Sequence, residues 1–290
     1  MTARRLIVSG DDFGAAAAVN TGIERAHRDG ILTSTSLMVA GTAAADAVAR
    51  AQGMPSLAVG LHLVLAQDRP TSPPERIRRL VRRDGRFGDQ PILAGLRYAW
   101  AWCSRVGRAQ LRAELVAQLD AFHQTGLPLA HVDGHLNMHL HPVVLPLLVE
   151  LAPAHGIRAV RLSRERLGPA LRYDRRHLLR KTFETGVFRT LTALARPQLD
   201  RAGIRTVDRI FGMHQTGHLD EAYLLHVLKT LPEGISELYG HPAAGPSPST
   251  ARYQPGYDHG GELAGLTSPR VRAAVRHGDI ELVTYRDLAP

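Results

Sequence analysis

Two hydrophobic periods run along this chain. Short apolar runs bounded by Gly, Pro or Asp predict buried strands at residues 5–9, 33–39, 57–65, 130–133, 159–163, 209–213, 236–239 and 280–284. Between them, apolar residues recur three and four positions apart over 15–28, 43–51, 110–123, 143–155, 219–230 and 269–277, which predicts amphipathic helices. Strand and helix alternating in this way point to a parallel α/β sheet, either doubly wound or closed into a barrel. In both, chemistry gathers at the carboxyl ends of the strands. Polar residues are therefore expected where each strand stops.

They recur there. The first run ends in Ser9-Gly10-Asp11-Asp12-Phe13-Gly14, the third carries His62 inside apolar sequence, and the fourth ends in His131-Val132-Asp133-Gly134-His135. A late run, Ser236-Glu237-Leu238-Tyr239-Gly240, stops at His241-Pro242. Two adjacent carboxylates are costly unless a cation or dense hydrogen bonding offsets them. A metal ion on one of them, with the other left free as a base, resolves the conflict. Two histidines and one carboxylate from separate strands form an open face for a divalent metal, with positions left for water and substrate. On this reading Asp12, His62 and His135 are the ligands, Asp11 the general base and His241 the general acid. His131 and Asp133 orient ligands from behind. His139 and His141 support the loop or touch substrate, and Tyr239, beside the acid, supports the ligands or binds substrate. The remaining histidines, among them His214 and His259, read as surface or structural groups. The metal is zinc, magnesium or another divalent ion, since this donor set suits several.

Two stretches interrupt the alternation. Residues 67–105 form a Pro-containing connection that closes in an apolar segment with both tryptophans and no acidic residue. Residues 164–201 are basic, with eight basic and two acidic side chains between Arg166 and Arg196. Both are expected to cover the strand ends as helical flaps of one domain spanning 1–290. Residues 243–255, rich in Pro, read as a loop.

Composition narrows the class. The chain has 290 residues, 44% hydrophobic and 22% charged, which is globular. The net charge is +9, with Lys181 and Lys229 the sole lysines among 36 basic residues. No zinc-finger spacing or RNA-binding aromatic signature accompanies that charge, so nucleic acid is not expected as a partner. The single cysteine, Cys103, precludes an intrachain disulfide and fits a reducing compartment. No secretory leader or membrane span is evident, so a cytoplasmic location is expected.

These motifs together resemble the YdjC-like carbohydrate deacetylase family, across nearly the whole chain from Arg5 to about Leu288. The resemblance implies a distorted (β/α) barrel that removes acetyl groups from N-acetylated sugars with one divalent metal. It implies Asp12, His62 and His135 as ligands and Asp11 as base, and carries His241 over as acid. Ser9-Gly10 stands where the family commonly has Asn-Ala, and Gly134 where Ser is common; both lie beside the ligands. The stretches Val132 to Pro142 and Glu237 to Ala243 are similar to the hopanoid-biosynthesis-associated (HpnK-like) branch, which implies an N-acetylglucosaminyl group on a polycyclic lipid. Independently, the Trp-containing apolar segment beside the basic one suits a lipid tail and an anionic bilayer surface, so peripheral contact with the inner membrane face is expected. Two alternatives stay open: another metal-dependent hydrolase or non-haem iron enzyme on the same triad, and a non-catalytic glycolipid-binding protein.

Overall fold

A computed structural model describes residues 4–288. Its strands are β1 (Arg4–Phe13), β2 (Ser34–Leu37), β3 (Ala58–Leu63), β4 (Val132–Gly134), β5 (Arg209–Phe211), β6 (Gly234–Gly240) and β7 (Ile280–Leu282). All pair in parallel in the order β4-β3-β2-β1-β6-β5, and β7 joins the amino-terminal part of β1. Beyond β4, Val132 bridges Val160 and Ala159 bridges Arg205. Arg205 therefore belongs to one edge of the sheet while Arg209, four residues later, starts β5 at the other. So short a segment can serve both edges only if the sheet curls round on itself. The result is a parallel sheet curled into a half-barrel with helices outside.

The expected strand at 159–163 is reduced to those two bridges. Backbone pairing there is limited to a few bonds, with the Val132 N–H donating to the Ala159 carbonyl and the Arg161 N–H to the Val132 carbonyl, while the Arg161 side chain turns into the barrel to meet three carboxylates. The other expected strands are present with shifted ends.

Strand β1 shows why the core is two-sided. Leu6 and Val8 pack with the main core under the helices, whereas Ile7 joins a smaller cluster with Ala58, Ala130, Ala159, Val207, Val283 and Tyr285. Successive side chains of a strand point to opposite faces, so the first set faces the helical layer and the second fills the inside of the curl. Burial on both faces accounts for the unbroken apolar run that marked this strand in the sequence.

The helices are α1 (Ala17–Arg28), α2 (Ala44–Gln52), α3 (Pro91–Trp102), α4 (Arg105–Gln124), α5 (Leu145–His155), α6 (Leu167–Tyr173), α7 (Leu178–Arg201), α8 (Glu221–Thr230), α9 (Pro248–Tyr253), α10 (His259–Thr267) and α11 (Pro269–His277). In α1, Val19, Ile23 and Ala26 are buried at helical spacing. Asp220 caps α8 by accepting from the Tyr223 N–H at 2.8 Å. The stretch 243–255 is not all loop: Ser247 and Thr250 form a reciprocal capping box with Pro248 in the first turn, which starts α9. Among the described residues, no helix is long and apolar enough to cross a membrane.

Candidate active site

Strand ends converge on one side of the curl. There β1 delivers Asp11 and Asp12, β3 His62, β4 Asp133, and β6 Tyr239 followed by His241. His135 opens a 3-10 turn (His135–Leu140) directly after β4. The two aspartates lie within β1 itself rather than in a turn after it. They escape strict alternation because the β1–β2 register slips between Gly10 and Phe13 and Asp12 takes a φ of +65°. That bulge re-aims the two neighbouring carboxylates.

Asp12 is buried between two imidazoles. Its Oδ1 lies 3.1 Å from His62 Nε2 and 2.9 Å from His135 Nδ1. The far nitrogen of each ring is already committed: His62 Nδ1 is 2.8 Å from Asp133 Oδ1, and His135 Nε2 is 2.7 Å from Gln67 Oε1. Those oxygens can only accept, so each ring carries its proton on the far side. The near nitrogens then direct lone pairs at a carboxylate oxygen, an arrangement that repels unless a cation lies among them. Either a second proton on the rings or a metal ion supplies it. With protons alone, burial disfavours charge on His62, but Asp133 and Asp12 outweigh it and raise its pKa to about 10. Burial likewise works against the Asp12 carboxylate, and His135 and His62 reverse this to hold it well below the usual range.

The donor set fits a divalent metal. Among the described residues, Asp12, His62 and His135 are all buried with ligand atoms within 4.8 Å of one another. A second group, Asp11, His62 and Asp133, meets the same spacing, but both of its carboxylates face Arg161. Gln254, just past α9, donates to Asp12 Oδ2 at 2.5 Å and fixes that oxygen.

Asp11 is not a free carboxylate. Arg161 Nη1 and Nη2 grip its two oxygens at 2.6 and 2.8 Å. The same guanidinium lies 2.7 Å from Asp133 Oδ2 and 2.8 Å from Glu237 Oε1, and 4.6 Å above the Tyr239 ring. Burial alone would disfavour its charge; Asp11, Asp133 and Glu237 raise its pKa well above the ordinary value. The offset to the paired aspartates thus has two parts, imidazoles around Asp12 and a guanidinium on Asp11. The sequence reading assigned the whole of it to a metal.

Behind these groups lie the supports. His131 stacks on Tyr285 with centroids 3.8 Å apart, and its Nε2 is 3.6 Å from Asp133 Oδ2, too far for a hydrogen bond. Gly60 leaves room for that ring, because a Cβ there would sit 2.4 Å from it. His139 is fully buried with Nε2 2.9 Å from the Arg161 carbonyl, so it braces the loop and does not reach the pocket. Burial lowers its pKa to about 4, which keeps it neutral. His214 and His259 are structural, the latter with Nδ1 2.6 Å from the His241 carbonyl.

A cavity of about 490 Å³ opens over the cluster, and Asp11, His62, His135, Tyr239 and His241 all line it. His141 lines it as well. Burial lowers the pKa of His241, against the pull of Asp12 and Asp11. Its backbone N–H donates to the buried Glu262. One side of the wall carries an apolar strip, Ile92 of α3 with Phe183, Val187, Phe188 and Leu191 of α7; α7 also turns Arg180 and Glu184 to the cavity, and Asn137, Thr216 and Tyr257 add polar groups. Both irregular stretches of the sequence therefore contribute to the pocket.

Sequence reasoning missed Arg161, Gln67, Gln254, Glu237 and Glu262. For Arg161 and Glu237 a signal existed, a lone charge inside an apolar run. The two glutamines carried none.

The chain resembles proteins that have been described before. A carbohydrate deacetylase of Brevibacillus brevis is 37% identical over 53% of this chain and 57% of its own length. A carbohydrate deacetylase of Mus musculus is 32% identical over 98% of this chain and 94% of its own. An Enterococcus faecalis crystal structure, described as that of a candidate cellobiose-phosphate cleavage protein, superimposes with a TM-score of 0.77 at 26% identity and full coverage of both chains. The family model for YdjC-like proteins matches residues 5–277, from the first strand through the last helix, and the chain belongs to that family.

Proposed function

We propose that this protein is a metal-dependent carbohydrate N-deacetylase. The observation that carries the reading is the pair of imidazole nitrogens facing Asp12 Oδ1 while their far nitrogens are spent on acceptors, in a pocket that Asp11 also lines. The deacetylase names of full-length relatives give the reaction class.

Asp12, His62 and His135 would hold one divalent ion, zinc, magnesium or a related metal. Bound there, it would polarise the acetamide carbonyl and acidify water. Asp133 fixes the proton of His62 on Nδ1, and Gln67 does the same for His135 at Nε2, so the near nitrogens stay available. Arg161 orients both oxygens of Asp11, which takes the proton from the attacking water. The tetrahedral intermediate collapses as the C–N bond breaks and His241 delivers a proton to the departing amine. Burial favours the neutral His241 imidazole at rest, so the proton it hands to the amine is the one Asp11 has taken from water, and the carboxylates of Asp12 and Asp11 favour the imidazolium that carries it. Tyr239 forms part of the wall next to His241, with ring centroids 6.1 Å apart.

The substrate is read as an N-acetylglucosaminyl group on an apolar carrier such as a hopanoid, handled at the cytoplasmic membrane face. The apolar strip of Ile92, Phe183, Val187, Phe188 and Leu191 supports an apolar carrier over a free oligosaccharide, which offers hydroxyls on most of its surface, while Arg180 and Glu184 beside the strip leave polar contacts for the sugar. The test is acetate release from N-acetylglucosaminyl glycolipids and from chitooligosaccharides. Activity on the glycolipid that stops with a chelator and with Asp11→Asn supports the reading. Release from soluble sugar alone would remove the lipid carrier. No release from any N-acetylated sugar, with glycolipid still bound, would leave a binding protein.

A further inference from the structure

Two helices at the pocket mouth are built inside out. In α3 the inward residues are Ala94, Gly95, Tyr98 and Ala101, three of them small, while Ile92, Leu93, Leu96 and Trp100 face outward, Trp100 at 68% exposure. In the first half of α7 the buried residue is Lys181, whose Nζ is 2.8 Å from the Asp174 carbonyl and 3.2 Å from its carboxylate. Leu179 and Phe183, by contrast, stand 87% and 67% exposed. An amphipathic helix on a water-facing surface does the opposite. All the large apolar side chains exposed among the described residues lie on α3, α7, the start of α4 or Leu136. Both α3 and α7 pack against the turn His135–Leu140. Scattered exposed leucines need no explanation, but one concentrated face does.

The geometry points to this face as a docking surface for an anionic lipid bilayer, seated so that the catalytic pocket opens into the membrane interface. It rests on the reading of the pocket as one that takes a lipid-linked sugar, and names the surface from which that sugar arrives. Three observations select a bilayer. First, the face is continuous with the catalytic cavity: Ile92, Leu136, Phe183 and Val187 belong to both. A rigid protein seated there would seal the mouth, whereas a bilayer would supply an amphiphile to it. Second, the surrounding charge is positive. α3 holds Arg97 and no acidic residue, and α7 follows Arg175 and Arg176 in the strongly basic stretch. Arg176 and Arg180 have carboxylate partners, but Arg175 and Arg189 form no ion pair among the described residues. Basic side chains around an apolar face match anionic headgroups around acyl chains. Third, both tryptophans lie on α3, and indole favours the headgroup level of a membrane. With no membrane-crossing helix among the described residues, this contact is peripheral.

The experiment is pelleting with sucrose-loaded vesicles, made either of phosphatidylcholine alone or of three parts phosphatidylcholine to one part phosphatidylglycerol. The full chain is compared with a triple variant, Leu93→Ser, Leu96→Ser and Leu179→Ser. None of these side chains lines the pocket. The wild type should pellet with the mixed vesicles and more weakly with neutral ones. The variant should lose at least about tenfold in vesicle affinity, the loss expected when even one leucine no longer buries its side chain. Its melting curve and its acetate release from a soluble N-acetylated sugar should match wild type. Wild-type protein left in the supernatant with both vesicle types overturns the proposal, as does a variant that pellets like wild type. A wild-type dimer in sedimentation velocity that the triple variant dissociates also overturns it, because a second copy then covers the face. Vesicle binding and acetate release are read separately. Failure of docking therefore leaves the deacetylase reading standing, and failure of acetate release with vesicle binding intact removes only the activity.

Discussion

Arg161 holds Asp11 by both oxygens, 2.6 and 2.8 Å away, at the floor of the pocket. The two residues are 150 positions apart in sequence, and the same guanidinium meets Asp133 and Glu237. It is thus the single fixed cation among three buried carboxylates. The Arg161→Met variant should lose about 3–5 kcal/mol of folding stability, the usual cost of leaving buried charges unpaired. Urea unfolding of the metal-depleted protein checks this. A loss under about 1 kcal/mol would mean that water replaces the guanidinium.

Asp11→Asn separates the proton transfer from the metal. The amide can still accept from Arg161 but takes no proton from water. Acetate release should fall by about 10²–10⁴-fold, the range for a positioned general base. Metal content by elemental analysis should be unchanged. Loss of metal along with activity would make Asp11 a ligand instead.

Asp133 acts on the proposed metal through His62, whose Nδ1 it faces at 2.8 Å. Asp133→Asn removes the charge that fixes that ring. Metal affinity, measured by chelator competition, should drop about 10–100-fold, the range for such outer partners. Unchanged affinity would assign the orienting role to Ser36, whose Oγ is 3.0 Å from the same nitrogen.

Glu262 accepts from the backbone N–H groups of His241 and Leu219, and so fixes the end of β6. Burial raises its pKa from 4.5 to about 7, and those backbone bonds offset the rise only in part. An acid with a raised folded pKa stabilises the fold most below its unfolded value and loses that contribution as pH climbs through the folded value. The stability difference between wild type and Glu262→Gln should therefore shift against wild type by roughly 3 kcal/mol from pH 4.5 to pH 8. Chemical denaturation at a series of pH values measures it. A pH-independent difference would show that Glu262 titrates alike in both states.

Much of the site was legible before folding because its chemistry sits where local pattern changes. An apolar run that stops at two aspartates, a histidine inside another such run, and His-x-Asp-x-His at the end of a third each break a strand period. The parallel rule then requires these breaks to share one side of the sheet. Their actual approach, with both imidazoles within 3.1 Å of Asp12 Oδ1, follows from the curl of the sheet.

By itself the sequence determined the strand–helix alternation, the ends where chemistry gathers, and the family. Only the tertiary structure decided that Arg161 would occupy Asp11, that Gln67 and Gln254 would close around His135 and Asp12, and that α9 would form inside a Pro-rich stretch. It also decided which face of α3 and α7 looks outward. Periodicity marks a helix as amphipathic from neighbours three and four residues away, but which side is covered depends on partners far along the chain. For α7 those are α5 and the turn His135–Leu140; Lys181 is then held in the interior by Asp174 just ahead of the helix, and Leu179 stands at the surface.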